Sequence, residues 1–331
     1  MMNKLSLCEL ANNVKIPKKT LILCHKNPDP DTLGSAFALK HILNCFGSHA
    51  TVACSDMAQK KLDFITGGAS LEFDGGEYER YIAVDVASPL QLGDLSYLSE
   101  RVDITVDHHA SATRFSDYYE SFTASCAEII YSLAETLGIL DELPKNFYEC
   151  LYAGMTADTG GFRFSNVTPK TLTTASLVVS HGIDHAEINR IIFDSRSLEE
   201  IKAQRITYEN MELYENGKIS IIVFTNEMKQ KNGISDADTC DIVNAVRGID
   251  GVLIALSLKQ NSKDGEKFSL SSRANADIDV SSVCQKFGGG GHTRAAGATV
   301  VASSPSEAKA RVIEAFTEAL NEYKMRSKYG K

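Results

Sequence analysis

Thr20-Leu21-Ile22-Leu23-Cys24-His25-Lys26-Asn27-Pro28-Asp29-Pro30-Asp31 sets an apolar run directly before a histidine and two aspartates that alternate with proline. The run is brief and shows no polar alternation, as in a strand buried on both faces of a parallel sheet. Leu33-Gly34-Ser35 marks a helix start, and residues 35–45 carry apolar side chains at the three- and four-residue spacing of a sheet-covering helix. Strand, loop and helix in this order predict an open α/β sheet, whose ligand crevice lies at the carboxyl ends of the strands. Residues 81–84 and 102–106 read as further strands of this kind, and residues 124–137 and 144–153 as further covering helices.

A chain of 331 residues is long for one core and predicts two domains. The junction falls in Ser-Leu-Glu-Glu-Ile-Lys-Ala-Gln-Arg at residues 197–205, a charged, helix-favouring stretch that runs on until Asn216-Gly217 breaks it. The expected division is therefore a first domain at 1–195, a linker helix at 196–216 and a smaller α/β domain at 217–331. Strands are expected in the second half at 219–224, 252–258 and 268–272, with helices at 237–247 and 306–323. The eight cysteines are scattered, with no closely spaced pair, and read as reduced thiols. No apolar tract is long enough to cross a bilayer and the first residues lack a secretory pattern, so a cytosolic protein with no membrane partner is expected. A formal net charge of −9 argues against capture of long duplex DNA, which demands a basic surface.

Four groups of residues carry the chemistry. His25, Asp29 and Asp31 leave the first strand together, and their competing reading is an Asp/Pro turn with a helix cap. Asp85 ends the strand at 81–84 and says little alone. Asp107-His108-His109 ends the next strand, and a carboxylate beside an imidazole is how metal ligands are oriented. Asp158 precedes the glycine pair Gly160-Gly161. Imidazoles and carboxylates on several strand-end loops suit hard or borderline divalent ions, with Mn²⁺ or Mg²⁺ best matched to so oxygen-rich a set. Two ions about 3.5 to 4 Å apart would activate a water and clamp phosphate oxygens. In the second half, Phe287-Gly288-Gly289-Gly290-Gly291-His292-Thr293-Arg294 reads as a loop with exposed amides, able to cradle an anion, or as a flexible turn after a helix.

With these motifs in order, the chain resembles the DHH/DHHA1 phosphoesterase family, and most closely its nanoRNase/pAp phosphatase branch. His25-x-x-x-Asp29-x-Asp31 resembles the first motif, Asp85 the second, Asp107-His108-His109 the DHH signature, Asp158 the fourth, and Gly288 to Gly297 the DHHA1 signature. The resemblance implies an N-terminal domain with a mainly parallel sheet flanked by helices and a smaller α/β DHHA1 domain. It implies His25, Asp29 and Asp85 on one ion, Asp31, Asp85, His108 and Asp158 on the other, and Asp85 as the bridge. It further implies that Asp107 holds the His108 ring and that His109 contacts the scissile phosphate. Arg273, His292, Gly290 and Gly291 would hold the nucleotide. Family members often carry an Asn soon after DHH; this chain reads Ala110-Ser111-Ala112-Thr113-Arg114, with Arg114 as the candidate to take over that phosphate contact.

The implied reaction is hydrolysis of very short oligonucleotides to mononucleotides and of 3′-phosphoadenosine 5′-phosphate (pAp) to AMP. Two divalent ions would serve it, Mn²⁺ first, with Mg²⁺ or Co²⁺ as alternatives, and a homodimer is left open. The rival readings are a phosphodiesterase acting on cyclic di-AMP or its linear product, a nucleotide sensor without catalysis, and, more distantly, a pyrophosphatase.

Overall fold

The computed structural model describes residues 2–109, 112–239 and 242–329. Ala110-Ser111 of the stretch after His109, and residues 240 and 241 of the helix expected at 237–247, lie outside the described residues. The chain divides into two compact units, Met1–Ser195 and Arg196–Lys331.

In the first unit, α1 (Leu7–Val14), β1 (Thr20–Leu23), α2 (Pro30–Cys45), β2 (Ala50–Ala53), α3 (Asp63–Thr66) and β3 (Arg80–Val84) are followed by β4 (Ile104–Asp107) and β5 (Asp117–Glu120). Four helices complete it: α4 (Cys126–Leu137), α5 (Lys145–Asp158), α6 (Pro169–Ser180) and α7 (His185–Asn189). Among the described residues the sheet has five strands in the order β2-β1-β3-β4-β5, every neighbouring pair parallel. Alternate strand residues feed two cores. Ile22, Val52, Ile82, Val84, Ile104 and Val106 pack with α2, α4 and α5, while Leu21, Leu23, Ala53, Tyr81 and Ala83 pack with Leu92, Leu95 and Leu98 of the 3₁₀ segment Pro89–Arg101. Burial on both faces explains why the strands read as unbroken apolar runs.

The helix expected from about residue 35 begins at Pro30, so the second half of the histidine-aspartate motif is helix and not loop. Proline at the first helical position forfeits only an amide that has no partner there. Helices α2 and α5 approach so closely that a Cβ on Gly34 would lie 2.3 Å from the Cys150 carbonyl oxygen, and one on Gly154 would lie 2.5 Å from Asp31 Oδ1.

The second unit holds α8 (Leu198–Asn210), β6 (Glu212–Tyr214), β7 (Ile219–Phe224), α9 (Asn226–Asn232), α10 (Ile242–Arg247), β8 (Ile254–Gln260), β9 (Lys267–Ala274), α11 (Val280–Gln285), β10 (Gly290–His292), β11 (Ala295–Val301) and α12 (Pro305–Tyr329). Its six strands, counted among the described residues, run β10-β11-β9-β8-β7-β6; β7 and β8 are parallel and the other neighbours antiparallel. Helix α12 buries Ala308, Val312, Phe316 and Leu320 on one face of the sheet, and α8 and α10 bury Ala203, Ile206, Val243 and Val246 on the other. The segment expected as a linker thus supplies part of this unit's core. The glycine run also differs from the open loop expected, because Gly290–His292 pairs with β11 as a strand. A Cβ on Gly289 would meet the Gly297 oxygen at 2.1 Å, and one on Gly291 the Ala295 oxygen at 2.6 Å, so close strand approach alone demands glycine at these positions.

No helix among the described residues is long and apolar enough to cross a membrane. Because the Cys150 carbonyl belongs to helix backbone and cannot yield, Gly34→Ala should destabilise the first unit by about 1–3 kcal/mol. Urea unfolding checks this, and an unchanged midpoint would show that α2 and α5 separate freely.

Candidate metal centre

The site forms at the carboxyl ends of β1, β3 and β4 together with the C-terminus of α5. His25 follows β1, and its Nδ1 lies 2.8 Å from the Lys26 carbonyl oxygen. A carbonyl only accepts, so Nδ1 carries the proton and Nε2 presents its lone pair. That Nε2 lies 3.6 Å from Asp29 Oδ2 and 3.6 Å from Asp85 Oδ2. Asp29 is the N-cap of α2: Oδ1 accepts the amides of Asp31 at 2.9 Å and Thr32 at 3.0 Å, and Oδ2 turns to His25. Cap and ligand, competing readings of the sequence, use different oxygens of one carboxylate. Thr32 Oγ1 donates to the Val84 carbonyl at 3.0 Å, which ties the start of α2 to the strand that ends at Asp85.

Asp31 is wholly buried and accepts the amides of Cys126 at 2.7 Å and Ala127 at 3.0 Å from the first turn of α4. Burial, with the Asp85 charge adding to it, pushes its carboxyl up to about 7. Asp85 adopts φ 59°, a left-handed conformation that costs a non-glycine residue roughly 1–2 kcal/mol. Burial acts to raise its pKa, yet the neighbouring His108 and His25 rings outweigh this and hold the carboxyl well below its usual range.

Asp107 departs from the expected role. Its Oδ1 accepts the backbone amide of His108 at 2.9 Å and the Nδ1–H of His109 at 2.7 Å. The His108 ring is held instead by the Thr123 carbonyl, 3.3 Å from its Nδ1. A carboxylate folded back over the next two amides meets the ring of residue i+2, since i and i+2 leave a strand on the same side. His108 Nε2 then faces Asp85 Oδ1 at 3.3 Å, Asp158 Oδ2 at 3.3 Å and Asp31 Oδ2 at 3.9 Å. Asp158 ends α5, where the helix dipole disfavours an anion; burial, and then the Asp31 charge, push its carboxyl well above the ordinary range.

Arg114 is also placed otherwise than as a phosphate ligand. It pairs with Glu120, lies 3.6 Å from Asp107 Oδ2 and sits over the Tyr118 ring at 4.5 Å. Glu120, Arg114, Asp107 and His109 therefore form one line of alternating charge. In the second unit, cross-strand pairing sets His292 opposite Ala295 and Ala295 opposite Arg273, so sheet register brings His292 and Arg273 into one row. Arg273 donates from Nη1 to the Ser272 carbonyl at 3.0 Å. Gly290 and Gly291 lie in the same strand as His292.

The donor set fits divalent cations. Two trios, His25-Asp29-Asp85 and Asp31-Asp85-His108, each have donor atoms within 4.8 Å of one another, and Asp85 belongs to both. Among the described residues no lysine or arginine pairs with Asp29, Asp31, Asp85 or Asp158, and buried Asp85 Oδ1 has no hydrogen-bond partner. Carboxylates crowded in this way stay ionised only beside positive charge. Sequence reading missed Thr123, Cys126 and Ala127, whose backbone groups carry no residue signature, and Glu120, whose partner lies on another segment. Replacing the shared carboxylate by Asp85→Asn should weaken Mn²⁺ binding at least ~100-fold, more than changes to groups that merely orient ligands. Calorimetric titration measures it, and wild-type affinity would remove Asp85 from the ligand set.

Residues 19–155 match the model of the DHH family, N-terminal domain, and residues 216–323 that of the DHHA1 domain. The chain is 28% identical over 298 residues to the probable bifunctional oligoribonuclease and PAP phosphatase NrnA of Streptococcus mutans, covering 89% of this chain and 93% of that protein. It is 27% identical over 318 residues to the bifunctional oligoribonuclease and PAP phosphatase NrnA of Thermus thermophilus, covering 90% and 89%. The crystal structure of an exopolyphosphatase-related protein from Bacteroides fragilis shares the fold, with a TM-score of 0.83, 22% identity and 96% of each chain covered. The chain belongs to the DHH family of phosphoesterases, in the form that carries a DHHA1 domain after the DHH domain.

Proposed function

We propose that this enzyme hydrolyses very short oligonucleotides to mononucleotides and pAp to AMP, using two divalent ions, Mn²⁺ foremost. The observation that carries the reading is the pair of donor trios sharing Asp85. His25, Asp29 and Asp85 would hold one ion and Asp31, Asp85, His108 and Asp158 the other. Ions bound there would supply Lewis acidity toward phosphate oxygens and the activation of a water.

The remaining roles belong to the chain itself. Asp107 fixes the His109 tautomer with the proton on Nδ1, which turns Nε2 toward a substrate. Burial opposes a charge on His109, but the hydrogen bond to Asp107 and the Asp85 charge outweigh it and raise its pKa. A raised pKa suits a group that donates a proton to a departing oxygen. Arg273, His292, Gly290 and Gly291 are assigned to the nucleotide. Small substrates agree with the acidic chain, since a local pocket replaces the basic track that a long strand demands. The relatives named for oligoribonuclease and PAP phosphatase activity match along nearly their whole length, which favours this substrate class over a cyclic dinucleotide.

Incubation with Mn²⁺ and a panel of pAp, a dinucleotide, a five-residue RNA, cyclic di-AMP and pyrophosphate tests the reading. Turnover of pAp and the dinucleotide is expected. A preference for pyrophosphate, or turnover of cyclic di-AMP alone, would sink it. Arg114→Met should lower kcat on pAp by about tenfold or more while leaving KM nearly unmoved, because Arg114 acts through Asp107 on His109. A change confined to KM would return Arg114 to the substrate contacts.

A further inference from the structure

Beyond Asp158 the chain reverses through residues 159–164, and this turn is held unusually firmly. The Thr159 carbonyl accepts the amides of Arg163 at 2.9 Å and Phe164 at 3.0 Å, and its Oγ1 accepts that of Phe162 at 3.0 Å. Gly161 donates to the Thr156 carbonyl at 2.7 Å, and Asn166 Nδ2 bonds the carbonyls of Asp158 and Ala124, each at 3.1 Å. Phe162 is left-handed at φ 62°, and a Cβ on Gly160 would lie 2.3 Å from the Phe164 ring. Strain of this kind persists only where the surroundings impose it, and it clusters at functional sites.

Arg163 is the one charged side chain in that turn. It is exposed, with Nε donating to the Gly160 carbonyl at 2.5 Å and the guanidinium 5.7 Å from the Phe193 ring centroid. Phe193 lies in the π-helical segment Arg190–Asp194. Among the described residues Arg163 pairs with no carboxylate, and no hydrogen bond uses its Nη groups. The result is a guanidinium fixed at one edge and open at the other, one hydrogen bond from the residue that follows Asp158.

Charge balance gives that cation a task. Asp29, Asp31, Asp85 and Asp158 match two divalent ions, and Arg114 is already committed to Glu120 and Asp107. Within the first unit, a second phosphate on a nucleotide therefore needs another cation, in addition to Arg273 of the second unit, which is assigned to the nucleotide. Lys26, beside His25, is exposed and its ammonium makes no hydrogen bond or ion pair among the described residues, whereas the tethered fork of Arg163 loses less freedom on binding.

We propose that Arg163 binds a phosphate of the substrate other than the one cleaved, making the enzyme selective for nucleotides with two phosphate groups. This rests on the nucleotide phosphoesterase reading above. The test compares pAp with adenosine 3′-monophosphate, which lacks the second phosphate, for wild type and Arg163→Met, whose side chain keeps the stem against Phe193. Wild type should favour pAp in kcat/KM, and the variant should lose about tenfold to a hundredfold more on pAp than on the monophosphate, the range of a charge-assisted hydrogen bond. Arg163→Lys should recover part of the preference. Equal losses on both substrates, or a preference retained in full, would overturn the proposal. Calorimetric binding of AMP against adenosine keeps the two readings apart. If wild type turned over neither substrate, the function reading would fail, and Arg163 would stand or fall on whether its loss weakens AMP binding without changing adenosine binding.

Discussion

Asp31 bears the constraint on which the first unit depends: a wholly buried carboxylate set among other carboxylates at the mouth of a parallel sheet. Two amides at the start of α4 accept this position by donating to it, with the helix dipole pointing the same way. Room for it comes from Gly154, where any side chain would strike Asp31, and from Gly34, which lets α2 lie against α5. Close helix packing and an unfavourable buried charge thus meet at one residue. A carboxylate placed for stability would face solvent or a basic partner. Asp31 faces Asp85, Asp158 and an imidazole, an arrangement that favours divalent cations above any internal partner.

The strand ends were legible in the sequence because the strands are buried on both faces. β1, β3 and β4 stand out as apolar runs, and each ends on the polar residues that build the site. The edge strand β5 did not stand out, since Asp117-Tyr118-Tyr119-Glu120 is half-buried and polar, yet it supplies Glu120 to the charge line behind His109. The start of α2 is masked in the sequence because Asp29, Pro30 and Asp31 look like a turn. A proline at the first helical position and an aspartate at the cap are equally the marks of a helix start. In the second unit the glycine run announced itself, but not its pairing: only the contacts of Gly289 and Gly291 with β11 show that it is a strand.

Adjacent histidines divide their labour by what their Nδ1 atoms meet. His108 donates to a neutral carbonyl, which fixes its tautomer and leaves Nε2 to face three carboxylates. His109 donates to the carboxylate of Asp107, which fixes the tautomer and also stabilises an added positive charge on the ring. In the proposed roles, His108 would offer the Nε2 lone pair to an ion, and His109 would take up charge and release it as a proton donor. The sequence Asp-His-His contains both rings but not the assignment, because the carbonyl that claims His108 comes from Thr123, in a loop with no motif of its own. Arg114 completes the distinction. By pairing with Glu120 and approaching Asp107, it holds the Asp107 carboxylate in place behind His109.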